Sequence, residues 1–355
     1  MILTVDQTIG LNYPKYTTLH KANEIFKGSK ADSINIYIDG YNIIQSLFSV
    51  NTRITDNLSV VSGIINLCSH LRSYYRNFYN VESKIFIIMF NGQANICEKL
   101  INGYNKSFQE AKANNRVMAK YIDANWHLLN ELCKYLPDIF CVRTIMEPMV
   151  KIYDIIQKET ETCGRKPQIV FSKDVTMLQL AAMHQDVVVF KLVKTNPEYI
   201  ITITKQNAIS AFANITRKAI SDTTNAKLPL LNPELYSLVV TLTSLKNRNV
   251  QTLKTLNAAV SMLLELINDG KIQNKYCMDV EGLYDLLYPK LQNSIIKSRF
   301  INRFRALDLI WLYNMYTRCP EYSNMDYYVN LVDPDTVRDI NNKYFINNPL
   351  DLERI

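Results

Sequence analysis

Glycine is scarce in this chain, with nine among 355 residues. Neither G-x-G-x-x-G nor G-x-x-x-x-G-K-[ST] occurs, so no Gly-rich loop is expected to cradle a nucleotide phosphate. Histidine is scarcer still: four residues, none at H-x-x-x-H spacing, which argues against a histidine metal site. The seven cysteines (Cys68, Cys97, Cys133, Cys141, Cys163, Cys277, Cys319) are odd in number, scattered, and form no C-x-x-C pair. A disulfide framework or a zinc site is therefore not expected, and a reducing compartment suits the chain better. No apolar run approaches the roughly 18 residues of a transmembrane helix. Met1 to Leu11 lack a basic stretch followed by an apolar one, so no secretory signal is expected there. An excess of either charge is also missing. With 40 Lys+Arg against 33 Asp+Glu, the formal charge of +7 permits nucleic-acid contact without requiring it.

Hydrophobic residues make up 48% and charged residues 21%, close to the globular norm. The length allows one large α/β domain or two smaller ones, either with ample core. Tyrosine is abundant at 22, asparagine is about a tenth of the chain, and Ile and Lys are frequent. Such a bias accompanies AT-rich genomes and fits many phages and viruses.

Residues 1–33 read as an irregular polar extension with a short amphipathic piece around Leu19 to Phe26. Ile34 to Ile38 form a strand ending at Asp39-Gly40, and a helix runs from about Leu58 to Tyr79. Lys84 to Phe90 is a continuous apolar strand, of the kind buried on both faces of a parallel sheet, ending at Asn91-Gly92. Residues 93–136 are expected to be mostly helical. A strand at Ile139 to Thr144 precedes Glu147-Pro148, where proline suits the first turn of a helix to about Glu159. Gln168 to Phe171 form a strand leading through Ser172-Lys173-Asp174 to a helix ending at Met183. Val187 to Leu192 is the next strand, and Tyr199 to Thr204 an edge hairpin strand. Strands alternating with helices predict an α/β fold with a mainly parallel sheet. From about Asn232 the pattern is helical only: Pro233 to Leu245, Thr255 to Asn268, Val280 to Leu287 and Ile296 to Tyr316. The expected organisation is an extension (1–33), an α/β domain (34–231), a helical region (232–319) and an Asn- and Asp-rich tail (320–355) wrapping the surface.

Ligands of open parallel sheets sit beyond the carboxyl ends of the strands. Those positions hold Asp39, Asn91, Glu147 and Asp174. Three carboxylates at one edge repel one another and would need a cation, usually a divalent metal, to offset the charge. Two-metal phosphodiester hydrolysis uses such a cluster. The plainer alternative, at even weight, is that Asp39-Gly40 is a turn and Asp174 a helix cap.

The segments Ile36 to Asn42, Ile87 to Gly92 and Val170 to Leu180 resemble the flap endonuclease / 5′–3′ exonuclease family, of PIN-like fold. The likeness runs over roughly residues 34–270. That family's first aspartate is matched by Asp39. Its Phe-Asp-Gly is matched by Phe90-Asn91-Gly92, its Glu-Ala-(Asp/Glu) by Glu147-Pro148-Met149, and its Ser-x-Asp-x-Asp-x-x-Gln-Leu by Ser172 to Leu180. The resemblance implies a PIN-like sheet and a helix-hairpin-helix in the helical region, and it implies a metal site whose surviving ligands are Asp39, Glu147 and Asp174. Asn91, Met149 and Thr176 stand where the family has acids. Asn91 keeps a neutral oxygen, whereas the soft sulfur of Met149 suits Mg²⁺ or Mn²⁺ poorly.

The resemblance places the family's hairpin at Leu242 to Ala259, where its glycine pair is replaced around Thr252 and Lys254. Lys246, Arg248 and Lys254 remain as point charges for a phosphate, or as a solvated helix face. Asn95 to Lys120 match the family's arch over a single strand. There Lys99, Lys106, Lys112, Arg116 and Lys120 are interleaved with Tyr104 and Phe108, a pattern that suits single-strand binding. An ordinary amphipathic helical pair is the commoner reading. The basic run Lys297 to Arg305 reads as a helix with Phe300, Phe304 and Leu307 on one buried face.

Two functions follow. The first is a catalytically inactive flap-endonuclease-like protein with a structural, scaffold or DNA-associated role, without a cofactor. The second is an active 5′ nuclease using Mg²⁺ or Mn²⁺ on a reduced carboxylate site. The expected partners are DNA and other proteins of a phage or viral assembly, in the host cytoplasm or the virion, with no membrane contact.

Overall fold

The computed structural model describes residues 17–18, 31–40, 57–90, 116–144, 148–172, 177–184, 186–192, 199–210, 231–232, 235, 238–239, 256–275, 286, 331, 333–345 and 350. Among the described residues seven strands are β1 (Thr17–Thr18), β2 (Ser33–Asp39), β3 (Glu82–Phe90), β4 (Ile139–Thr144), β5 (Gln168–Ser172), β6 (Val187–Leu192) and β7 (Tyr199–Ile203). The longer helices among the described residues are α1 (Asn57–Tyr79), α2 (Arg116–Tyr135), α3 (Pro148–Cys163), α4 (Met177–Met183), α5 (Leu256–Asn268) and α6 (Pro334–Tyr344). The expected α/β architecture, a mainly parallel sheet flanked by helices with helices again toward the C-terminus, is the one the chain adopts.

The sheet order is β1-β7-β6-β5-β2-β3-β4. The five strands from β6 to β4 are parallel. β7 runs antiparallel to β6, as a hairpin implies, but it is not the edge strand expected, because Thr17 and Thr18 pair outside it. The outer hydrogen-bonding groups of β7 thereby find partners from a stretch read as irregular.

From β2 the chain steps outward through α1 to β3 and α2 to β4. It then crosses back through α3 to β5 and continues through α4 to β6. Right-handed crossovers in opposite directions place the two helix pairs on opposite faces. On one face Ile34, Ile36 and Ile38 of β2, Ile85, Ile87 and Met89 of β3, and Ile169 and Phe171 of β5 pack with α1 and α2. The α1 stripe that meets them is Val61, Ile64, Ile65, Cys68 and Leu71, at the spacing of one helix face. Helix α1 stops at Asn80, whose φ of 52° is tolerated by an asparagine, and Val81 N–H closes back on Tyr75 C=O at 3.3 Å.

Cys68, Cys133 and Cys141 are free thiols buried in this core, and Cys163 is free and exposed. Burial pushes the Cys68 thiol up, and the hydrogen bond with Cys141, together with burial, pushes Cys133 up, so neither is a ready nucleophile. The tail expected to wrap the surface contributes α6, with Val337, Phe345 and Leu350 buried in the same core. Its Asn- and Asp-rich composition conceals those few well-spaced apolar residues. Among the described residues no helix is long and apolar enough to cross a membrane.

Candidate functional site

The sheet reverses its direction of growth between β2 and β5. Beyond the carboxyl ends of two such strands lies the crevice where open α/β sheets receive ligands. Asp39 ends β2 and Ser172 ends β5, and both are buried. Ser172 Oγ donates to Asp39 Oδ2 at 2.9 Å, joining the two strand ends across the switch point. β3 ends at Phe90, β4 at the buried Thr144 and β6 at Leu192, so Asp39 is the one carboxylate among the final residues of the parallel strands.

Gly40 is required by close approach. A Cβ there would meet Met89 Sδ at 2.4 Å and the backbone oxygen of Ile88 at 3.0 Å. The chain leaving Asp39 thus passes directly over the end of β3, and only glycine leaves room.

Side chains alternate along β2, so Asn35, Tyr37 and Asp39 share the face covered by α3. Below Asp39, the Tyr37 ring stacks on Phe86 at 5.2 Å and 11°, and Phe86 stacks on Phe140 at 5.2 Å and 21°. The three rings lie in register across β2, β3 and β4 and form a rigid floor. Tyr37 Oη donates to Gln168 Oε1 at 2.8 Å. The Asn35 amide reaches both Tyr37 Oη at 3.5 Å and Glu159 Oε2 at 3.4 Å, and Lys84 Nζ lies 3.3 Å from the same Glu159 oxygen. Burial pushes the Tyr37 phenol far above its ordinary range, helped by the Glu159 charge and opposed by Asn35. Tyr37 therefore stays neutral at physiological pH and acts as a hydrogen-bonding strut rather than an acid or base. A further buried ion cluster lies along α3, where Asp154 is 3.3 Å from both Lys151 and Lys158.

Of the residues expected as ligands, Asp39 is described, at the end of β2. Glu147, Asp174, Asn91 and Thr176 lie outside the described residues, and Met149 falls within α3. Lys106, Lys112, Lys246, Arg248 and Lys254 also lie outside them, and Arg116 opens α2. Among the described residues no three of His, Cys, Asp and Glu come together as a metal site. The donors described, one carboxylate and one hydroxyl, are hard oxygens of the kind Mg²⁺ or Mn²⁺ accepts, but they supply a single negative charge. Sequence reasoning gave Ser172 no role, although its place at a strand end, in register beside β2, was the available signal. It also passed over Tyr37 and Gln168, which break an otherwise apolar pattern with polar groups.

No family model and no curated protein matches the chain. Solved structures do resemble it. The T5 5′-exonuclease with bound divalent metal ions (zinc) superposes with a TM-score of 0.45 and 12% identity over 80% of this chain and 98% of that one. Human GEN1 in complex with Holliday junction DNA gives a TM-score of 0.46 and 12% identity over 92% and 68%. The catalytic core of Rad2 in complex with a DNA substrate gives 0.44 and 12% over 89% of each chain.

Proposed function

We propose that this chain is a flap-endonuclease-like protein that does not cut DNA and serves a DNA-associated or scaffold role. The observation that carries the reading is the small negative charge of the described residues at the carboxyl edge of the sheet. Asp39 is the one anionic strand-end residue described, and one of its oxygens is taken up by the Ser172 hydroxyl. In sequence, Glu147 follows Thr144 by three residues and Asp174 follows Ser172 by two, and these are the two further carboxylates we expect to join it. Asn91, Met149 and Thr176 are uncharged. Two divalent cations held a few ångströms apart need more anionic oxygen than this to offset their mutual repulsion. The fold does not depend on the missing acids, because its core lies in the strands and helices beneath the edge. Composition suggests the setting: a phage or viral assembly, with other proteins of that assembly as partners, in the host cytoplasm or the virion.

A second reading is favoured by one observation, the position of Asp39 at the switch point itself. Mg²⁺ is often held through one or two carboxylates plus substrate phosphates, so Asp39, Glu147 and Asp174 could hold one ion for a 5′ nuclease.

The test is incubation of the purified chain with 5′-flap and 5′-overhang DNA in Mg²⁺ or Mn²⁺, beside Asp39→Asn and Asp174→Ala variants. The expected result is no cleavage above the variants. Metal-dependent cleavage that both variants abolish establishes the second reading instead. DNA contact is read separately from affinity against salt concentration. Phosphate contacts by Lys106, Lys112, Arg116, Lys246, Arg248 and Lys254 produce a slope that falls by about 0.9 per charge removed, whereas a scaffold without DNA contact gives a flat line.

A further inference from the structure

Many cations of this chain already have an acid. Arg76, Lys84, Lys271 and Arg338 each lie 2.8–3.3 Å from a carboxylate. Arg165, Lys166 and Lys205 differ: among the described residues none of the three meets a carboxylate within ion-pair distance. The sheet brings them to one place, its amino edge. Arg165 and Lys166 stand in the turn before β5, His184 and Asp186 in the turn before β6. Lys205 opens a short helix over residues 205–210 just after β7, which runs antiparallel to β6 and so ends at the same edge. Gln168 N–H donates to Asp186 C=O at 2.8 Å and ties the first turn to the second, and Val187 N–H closes the second on His184 C=O at 3.5 Å.

The charge of these segments is one-sided, with three cations against the single acid Asp186. Arg165 is exposed, and Lys166, Asp186 and Lys205 are half-buried. His184 sits among them as a gauge of the local potential. Its ring lies 5.2 Å from that of Tyr153, and its Nε2 is buried without a hydrogen-bond partner. Burial lowers its proton affinity, Lys205 and Arg165 lower it further, and Asp186 alone opposes them. The positive field of the patch is thus felt at a neighbouring side chain.

We propose that Arg165, Lys166 and Lys205 form a contact surface for the phosphate backbone of a nucleic acid at the amino edge of the sheet. This surface rests on the DNA-associated side of the proposed function and lies at the opposite strand ends from Asp39 and Ser172. Phosphate contacts need only point charges and polar groups, which these segments supply with Thr204, Gln206 and Asn207 beside Lys205. A protein partner is held chiefly by aromatic or apolar anchors at the centre of its interface. Here the one exposed large apolar side chain described is Ile209, 41% exposed.

The test is affinity of the full chain for a short labelled DNA duplex across a range of salt concentrations. In Arg165→Gln/Lys205→Gln the slope of log affinity against log salt is expected to shallow by about 0.9 for each charge removed. Arg338→Gln, at an exposed cation already paired with Asp335, is expected to leave the slope as it was. Asp186→Asn removes the opposing acid and is expected to tighten binding. A second readout is local: in an NMR titration, the bound duplex is expected to raise the proton affinity of His184. An unchanged slope in the folded double variant, or a His184 titration that the bound duplex does not move, overturns the surface and leaves DNA association elsewhere standing. Where the double variant fails to fold, Asp186→Asn decides, and unchanged affinity there overturns it. A chain that binds no duplex overturns the surface and leaves only the scaffold role. Tighter binding of poly-glutamate than of duplex at equal salt, lost in the double variant, also overturns it and assigns the patch to an acidic protein.

Discussion

The two faces of β2 belong to one backbone and behave as two materials. Toward α1 and α2 the strand presents Ile34, Ile36 and Ile38, which sit in a dry aliphatic core. Toward α3 it presents Asn35, Tyr37 and Asp39, each tied by directional bonds to β5 or α3. The first face holds by area removed from water, which is non-directional and tolerates exchange of one aliphatic residue for another. The second holds by hydrogen bonds whose partners are buried, where a lost bond leaves the surviving group unsatisfied. A polar column of this kind is a costly way to fill an interior. Its upper end is the switch-point pair, so the position of Asp39 follows from what is fixed beneath it.

The sharpest break comes on the apolar side. Ile36→Ala should cost about 2–5 kcal/mol, whereas Ile36→Val should cost only about 0.5–1.5, measured by denaturant unfolding. Equal costs would mean that this face is as exacting as the other. On the polar side, Tyr37→Phe keeps the ring stack on Phe86 but deserts Gln168 and the Asn35 amide. A loss of about 1–3 kcal/mol is expected despite the removal of a single oxygen. A neutral result would show that the column contributes no more than packing. Gly40→Ala forces a methyl against Ile88 C=O and Met89, and about 1–3 kcal/mol of destabilisation is expected at the rim where the faces meet. Met89→Ala in the same chain makes room on the sulfur side and should recover part of the Gly40→Ala effect in a double-mutant cycle.

The smallest effect concerns His184, whose ring lies 5.2 Å from that of Tyr153 on the α3 side. Burial holds its imidazole below the ordinary range, Lys205 and Arg165 add to the shift, and Asp186 opposes it. The unfolded chain therefore binds the proton more readily. Stability should be lost as pH falls through the usual histidine range near 6.5, and be unaffected above it. His184→Gln should flatten that part of a melting-temperature curve. An identical slope in the variant would assign the acid sensitivity elsewhere.

Much of the architecture was legible because hydrophobic period and punctuation agree. The apolar run around Ile85 to Met89 announced a strand buried on both faces, and Pro148 marked the start of α3. The C-terminal segment was less legible. Val337, Phe345 and Leu350 are too few among Asn and Asp to advertise a core face, and their partner helix lies about two hundred residues earlier. The strand at Thr17–Thr18 gave no signal because two residues have no period. At the candidate site, Asp39 was readable from its place after a strand, while Ser172 became meaningful only once β5 was known to lie beside β2.

Local sequence set most of the strands and helices of the sheet, from β2 to β6, and which of β2's alternating positions are apolar, since side-chain period and turn chemistry are local. It also determined which residues directly follow each strand, Gly40 after Asp39 and Lys173-Asp174 after Ser172 among them, since chain order is fixed before folding. Strand order was decided only in three dimensions, and with it the meeting of Asp39 with Ser172, of Tyr37 with Gln168, and of Phe345 with α2. These contacts join residues 131 or 133 positions apart on the polar face, and they form only when burial of the whole sheet offsets the entropy of closing such long loops.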